Sequence, residues 1–147
     1  MDLTALRPED LLPHRGRMLL IESILELNED GAATRSVVSP EWPFCDGRGV
    51  AAIVLIELVA QTAGIHNGWI RDRRHGPETD KRGWIVGIRQ ARFAVEAVPL
   101  NAELITRTEN RMEFEGFRDI YGTVALETGT AAEITLQLLR SPPAAGE

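Results

Sequence analysis

The sequence predicts an α+β fold in which one long central helix is wrapped by a curved antiparallel β-sheet. Three observations carry that expectation: an almost unbroken apolar run at residues 50–65, a strand–turn–strand signal before it, and four strand-like segments after it. A helix apolar on nearly all sides must be enclosed rather than laid on a surface. Strand-like segments separated by short turns read as an antiparallel meander.

Taken in order, residues 1–17 are polar and interrupted by Pro, which suits a short helix or loop. Residues 18–27 and 32–38 read as strands joined by Asn28-Glu29-Asp30-Gly31, a hairpin turn signal. Residues 39–49 hold two Pro and two Gly, so this stretch is expected to be irregular and to deliver the chain to the helix. The helix is expected from about Val50 to Arg71, followed by a charged loop to Gly83. Strands are expected at 84–98, 103–114, 117–127 and 131–139, punctuated by Pro99-Leu100-Asn101, Glu115-Gly116 and Thr128-Gly129-Thr130. A Pro/Ala/Gly tail at 141–147 is expected to be disordered, leaving one domain over residues 1–140.

At 147 residues, with 44% hydrophobic and 26% charged residues, the composition is that of a globular protein. The net charge of −6 argues against nonspecific nucleic-acid binding, which depends on neutralising phosphates. Cys45 is the single cysteine, which excludes an intrachain disulfide. The first residues show no basic-then-apolar leader, and the apolar run is shorter than the ~20 residues needed to span a bilayer. A cytoplasmic protein without a membrane partner is the expectation. His14, Cys45, His66 and His75 fall into no metal-ligand spacing, so no metal or other cofactor is expected.

Glu57 is the sole charged residue within the apolar run. A carboxylate removed from water costs free energy unless it is paired or neutralised, and burial alone raises its pKa. That marks Glu57 as the first candidate for chemistry. Gln61 lies four residues on, on the same helix face, and can orient the carboxyl.

Three local matches occur in order. Leu12-Pro13-His14-Arg15 is followed by Met18-Leu19-Leu20-Ile21; Ile56-Glu57-Leu58-Val59-Ala60-Gln61-Thr62-Ala63-Gly64 forms the helix; Gly87-Ile88-Arg89-Gln90-Ala91-Arg92-Phe93 precedes Val98-Pro99. Together they resemble the 3-hydroxyacyl-[acyl-carrier-protein] dehydratases, including a divergent aryl-polyene-type subfamily, and the resemblance covers residues 11–139. The resemblance implies a hotdog fold and dehydration of 3-hydroxyacyl thioesters on acyl carrier protein. An imidazole would take the C2 proton while a carboxylic acid, here Glu57, protonates the departing hydroxyl. A backbone N–H at the helix start, on Ala52 in this chain, would stabilise the thioester oxygen. Arg89 and Arg92 would flank the substrate tunnel. The basic residues Arg71, Arg73, Arg74, Lys81 and Arg82 read either as a solvated loop or as a docking surface for an acidic carrier protein and its phosphopantetheine arm.

The family's loop histidine lies fourteen residues before the acid, where this chain has Pro43. His14 could supply the base. Because such sites form across a dimer interface, the chain could instead be the acid-bearing subunit of a heterodimer rather than a homodimer. Two other readings stay open: a non-catalytic subunit that binds acyl chains or a partner, and a thioesterase, in which a carboxylate activates water. His66 reads as an interaction near the helix end, His75 as a loop residue and Cys45 as a small packed side chain.

Overall fold

Asn28 closes the first hairpin, its Oδ1 accepting the N–H of Asp30 at 2.9 Å and of Gly31 at 3.1 Å. The computed structural model describes residues 2–76 and 83–140. The turn joins β1 (Ser23–Leu27) to β2 (Gly31–Val37). Gly31 is required there, because a Cβ would sit 1.9 Å from the Thr108 carbonyl oxygen on the neighbouring strand.

Ahead of this hairpin lie 3₁₀ turns at Leu3–Ala5 and Gly16–Met18 and a short helix α1 (Pro8–Leu11), which carries Pro in its first turn. After it come β3 (Cys45–Asp46), β4 (Gly49–Ala51), the long helix α2 (Val54–His75), β5 (Gly83–Phe93), β6 (Ala97–Val98), β7 (Glu103–Phe114), β8 (Phe117–Leu126) and β9 (Gly129–Arg140). One six-stranded antiparallel sheet runs in the order β1-β2-β7-β8-β9-β5, and a small sheet runs β3-β4-β6.

Alternate residues of the large sheet face α2 and are buried: Thr34 and Ser36 on β2, Leu104 and Thr106 on β7, Ile120 and Val124 on β8, Ile134 and Leu136 on β9. Leu55, Leu58, Val59 and Ile65 fill the other side of this core. Gly122 lets the helix approach closely, since a Cβ there would lie 2.4 Å from Val59 Cγ1. This is the hotdog arrangement, a central helix held in an antiparallel sheet.

The elements differ from the expected ones at their ends. The helix starts at Val54 rather than Val50, because Gly49–Ala51 pairs as a strand with β6. It continues to His75, so Arg71, Arg73 and Arg74 stand on its last turns rather than in a loop; residues 77–82, with Lys81 and Arg82, lie outside the described residues. Gly76, with φ 89°, ends it. The first strand begins at Ser23, since residues 16–18 form a 3₁₀ turn. The expected strand at 84–98 is two strands, β5 and β6. The expected tail at 141–147 also lies outside the described residues.

The helix is not enclosed on every side. Ile53 is 58% exposed and Ile56, Glu57 and Ala60 are half-buried, a stripe along one face. Beside it β5 is an edge strand, and its residues Ile85, Ile88 and Phe93 are exposed although they pair with buried β9 positions. The sheet ends before it can cover this face. No helix of the described residues is long and apolar enough to cross a membrane.

Candidate active site

The site is built where α2 meets the segment between α1 and β1. Gln61, fully buried on α2, accepts the Leu20 N–H at 2.9 Å through Oε1. Its Nε2 donates to the Met18 carbonyl at 2.7 Å and to Glu57 Oε1 at 3.1 Å. The amide thus ties the incoming chain to the helix and fixes one carboxylate oxygen one turn earlier.

The same segment carries His14 to Glu57, with Nε2 3.2 Å from Oε1. The side chains are 30% and 39% exposed, respectively. His14 Nδ1 is buried with no hydrogen-bond partner among the described residues. The imidazole therefore meets the carboxylate through Nε2, and one proton lies between two groups able to exchange it.

Glu57 differs from the sequence expectation in the direction of its pKa. Burial, the largest single influence, pushes the carboxyl up. Hydrogen bonds from His14 and Gln61, with the charge of a protonated His14, together outweigh it and hold Glu57 below the usual carboxylate range. An apolar run shows the burial but not the imidazole that opposes it.

The other expected site residues do not converge on this pair. The Ala52 N–H donates to the Glu96 carbonyl at 3.0 Å across the small sheet, so it is already engaged. Helix α2 begins without a side-chain cap; the Leu55 and Ile56 N–H groups donate to the Ala52 and Ile53 carbonyls at 2.9 and 3.1 Å, and the helix start carries the positive end of the dipole. Arg89 pairs with Asp119 at 3.4 Å, and Arg92 is exposed beside Gln90 on β5. A cavity of about 570 Å³ opens beside the helix start, lined by Ala51, Ala52, Ile53, Ile56, Phe93, Ala94, Val95 and Glu96. Ile53 and Ile56 place it within one helical turn of Glu57.

Cys45 Sγ lies 3.7 Å from the Asp46 carbonyl oxygen, and Pro43 and Phe44 are exposed. Arg73 is engaged, pairing with Glu29 at 2.9 Å and lying over the Trp69 ring at 4.6 Å. His75 lies in the last turn of α2. Among the described residues no group of His, Cys, Asp and Glu could hold a metal ion. Sequence reasoning assigned no role to Met18 and Leu20, whose main-chain groups hold Gln61, or to Arg15, whose guanidinium gathers carbonyls around His14. For Arg15 the signal was its place beside His14 in the Leu-Pro-His-Arg motif.

His66 is fully buried mid-helix, not at the helix end, and its Nε2–H donates to the Asn28 carbonyl at 2.7 Å. Burial lowers its pKa, and Arg118 adds to this against the raising influence of the Asn28 carbonyl, Glu29 and Asp30. The neutral ring is the folded form, whereas the unfolded chain takes up a proton near pH 6.5. Stability is therefore expected to be full above about pH 6.5 and to fall as pH drops below it toward the folded pKa. Urea midpoints at pH 8 and pH 5.5 measure this. His66→Gln should flatten the decline; an equal decline in the variant would assign it to other groups.

A central helix held in an antiparallel sheet defines the class, a hotdog-fold protein, and its paired acid and imidazole lie beside an apolar cavity. A family model described as ApeP dehydratase, of the ApeP-like family, matches residues 6–145. The chain belongs to the ApeP-like dehydratase family. It is 30% identical over 143 residues to the 3-hydroxyacyl-[acyl-carrier-protein] dehydratase FabZ of Yersinia pestis (strain Pestoides F), covering 92% of this chain and 78% of that protein. A structure of the dehydratase heterocomplex ApeI:P from Xenorhabdus doucetiae superposes with a TM-score of 0.83 at 24% identity, over 93% of this chain and 92% of that one. A hypothetical thioesterase from Streptococcus pneumoniae TIGR4, solved with coenzyme A, shares the fold at a TM-score of 0.60 and 12% identity, over 81% of this chain and 84% of that one.

Proposed function

We propose that this chain dehydrates 3-hydroxyacyl thioesters carried on acyl carrier protein, using its own His14–Glu57 pair within an assembly of two hotdog subunits. The observation that carries the reading is the 3.2 Å approach of His14 Nε2 to Glu57 Oε1. The name of the FabZ relative supports the substrate class.

Dehydration needs a base at C2 and an acid at the 3-hydroxyl, both in place at once. In its imidazolium–carboxylate form the pair supplies both. Glu57 takes the C2 proton, and the electron pair left at C2 becomes the C2–C3 double bond as the C3–O bond breaks. The departing hydroxide takes the Nε2 proton of His14 and leaves as water. Return of the proton from Glu57 to His14 across their contact restores the starting state. In this form the acid and base roles are the reverse of those the family resemblance implies. The positive end of the α2 dipole would stabilise the thioester oxygen as it gains charge, and the cavity at Ile53, Ile56 and Phe93 would take the acyl chain.

The open edge of β5 and the exposed Ile53, Ile85, Ile88 and Phe93 support a second hotdog subunit as the partner: an edge strand presents unpaired backbone groups, and the apolar stripe beside it needs covering. The ApeI:P heterocomplex supports a partner of different sequence. Pro43 supports a second reading, in which that partner brings the base and this chain only the acid.

The test incubates the purified chain, alone and with a candidate hotdog partner, with a 3-hydroxyacyl-acyl carrier protein. Enoyl absorbance reads dehydration and free thiol reads hydrolysis. Enoyl product is expected from the paired preparation. Thiol release without enoyl product would make the chain a thioesterase, and neither signal in any preparation would leave a binding subunit.

A further inference from the structure

We propose that Arg15 is a positioning residue for the His14–Glu57 pair, tying the His14 peptide to helix α1 and Leu12 by gathering three main-chain carbonyls. The inference deepens the reading above and rests on the pair being the working site.

His14 sits between α1 and a 3₁₀ turn, where no regular structure fixes a side chain. Both ends of its segment are anchored. Upstream, Leu11 and Leu12 are buried against two helix glycines: a Cβ on Gly68 would lie 2.6 Å from the Leu11 carbonyl oxygen, and one on Gly64 2.8 Å from Leu12 Cδ2. Downstream, Gln61 holds Met18 and Leu20. Neither anchor touches the His14 peptide itself.

Arg15 does. Its Nη1 donates to the Leu12 carbonyl at 2.6 Å and to the His14 carbonyl at 2.7 Å, while Nη2 donates to the Glu9 carbonyl at 3.1 Å. One planar fork thus ties helix α1, the residue that follows it and the His14 peptide into a rigid unit. A lysine ammonium offers a single point of donors and cannot span the same three acceptors as a fixed plane. The site is exposed, so water can replace the guanidinium at each carbonyl, and removing it should loosen the geometry more than the fold.

The experiment reads the coupling between imidazole and carboxylate directly. In the full chain, His14→Ala should raise the Glu57 pKa, followed by carboxyl ¹³C NMR, because the imidazole holds it down. With Arg15→Ala in the background, that displacement should shrink by at least about half. In the assembled enzyme, Arg15→Ala should lower kcat roughly 10- to 100-fold with KM within about twofold, and Arg15→Lys should recover part of both readouts. An undiminished coupling in Arg15→Ala overturns the proposal, as does a lost kcat with the coupling intact. Unfolding of both Arg15 variants also overturns it, making the residue structural. Loss of coupling in Arg15→Ala, in a chain that shows no turnover even before substitution, upholds the positioning role while removing the dehydratase reading.

Discussion

Glu57→Gln is expected to lower dehydration by roughly 10³-fold or more, because it removes one of the two proton-transferring groups. The fold should survive. The carboxylate is 39% exposed, and the replacing amide keeps an oxygen in place to accept from His14 Nε2 and Gln61 Nε2. The cost in stability should stay below about 1 kcal/mol, the usual worth of a partly solvated ion pair. Circular dichroism, thermal melts and the enoyl assay on one preparation separate the two effects. Retained turnover would take Glu57 out of the mechanism. A large drop in thermal midpoint would make the carboxylate primarily structural.

Much of the fold was legible because its signals are local. Glu103–Phe114 and Phe117–Leu126 are separated by Glu115-Gly116, which both take positive φ and close the turn the sequence announces. The helix start was not legible for an equally physical reason. Val50 and Ala51 suit a strand or a helix interior, and their state is decided by pairing with Val98 and Ala97, almost fifty residues later. Gly49 permits that pairing: its φ is +124°, and a Cβ would lie 2.1 Å from the Val98 carbonyl oxygen. The stripe at Ile53, Ile56 and Glu57 is as apolar around Glu57 as the buried faces, so periodicity could not say which face the sheet leaves open.

The site divides the same way. Glu57 and Gln61 share a helix face by their spacing alone, a local fact. The partnership of Glu57 with His14 is not local, since 43 residues separate them and the chain is brought back by the Gln61 amide and the glycine contacts at Leu11 and Leu12. That long-range contact also reverses the expected direction of the Glu57 pKa, which neighbours in sequence had pointed upward. Ala52 fails as a free donor through another distant contact, the Glu96 carbonyl.

His14→Ala is expected to lower turnover by roughly 100-fold or more and to be partly rescued by added imidazole, which can re-enter the space beside Glu57. It also makes a second prediction whose sign is fixed. His14 lowers the Glu57 pKa through a hydrogen bond and through charge, whereas burial raises it. Removing the imidazole leaves burial opposed by Gln61 alone, so the Glu57 pKa should rise in the variant. Carboxyl ¹³C shifts followed against pH measure this without any turnover. Glu57 holds its charge, and the stability that goes with it, above the ordinary carboxylate range near pH 4.3; both are lost as pH falls through its lowered folded pKa. In His14→Ala the charge should be lost at higher pH, and the stability lost on acidification should shrink, because the folded pKa moves toward the unfolded one. If turnover stays within about threefold of the unsubstituted enzyme while Glu57→Gln remains inactive, the second proton-transferring group comes from the partner subunit and this chain contributes Glu57. An unchanged Glu57 titration would show that the two groups do not interact in solution, and the within-chain mechanism would fall with it.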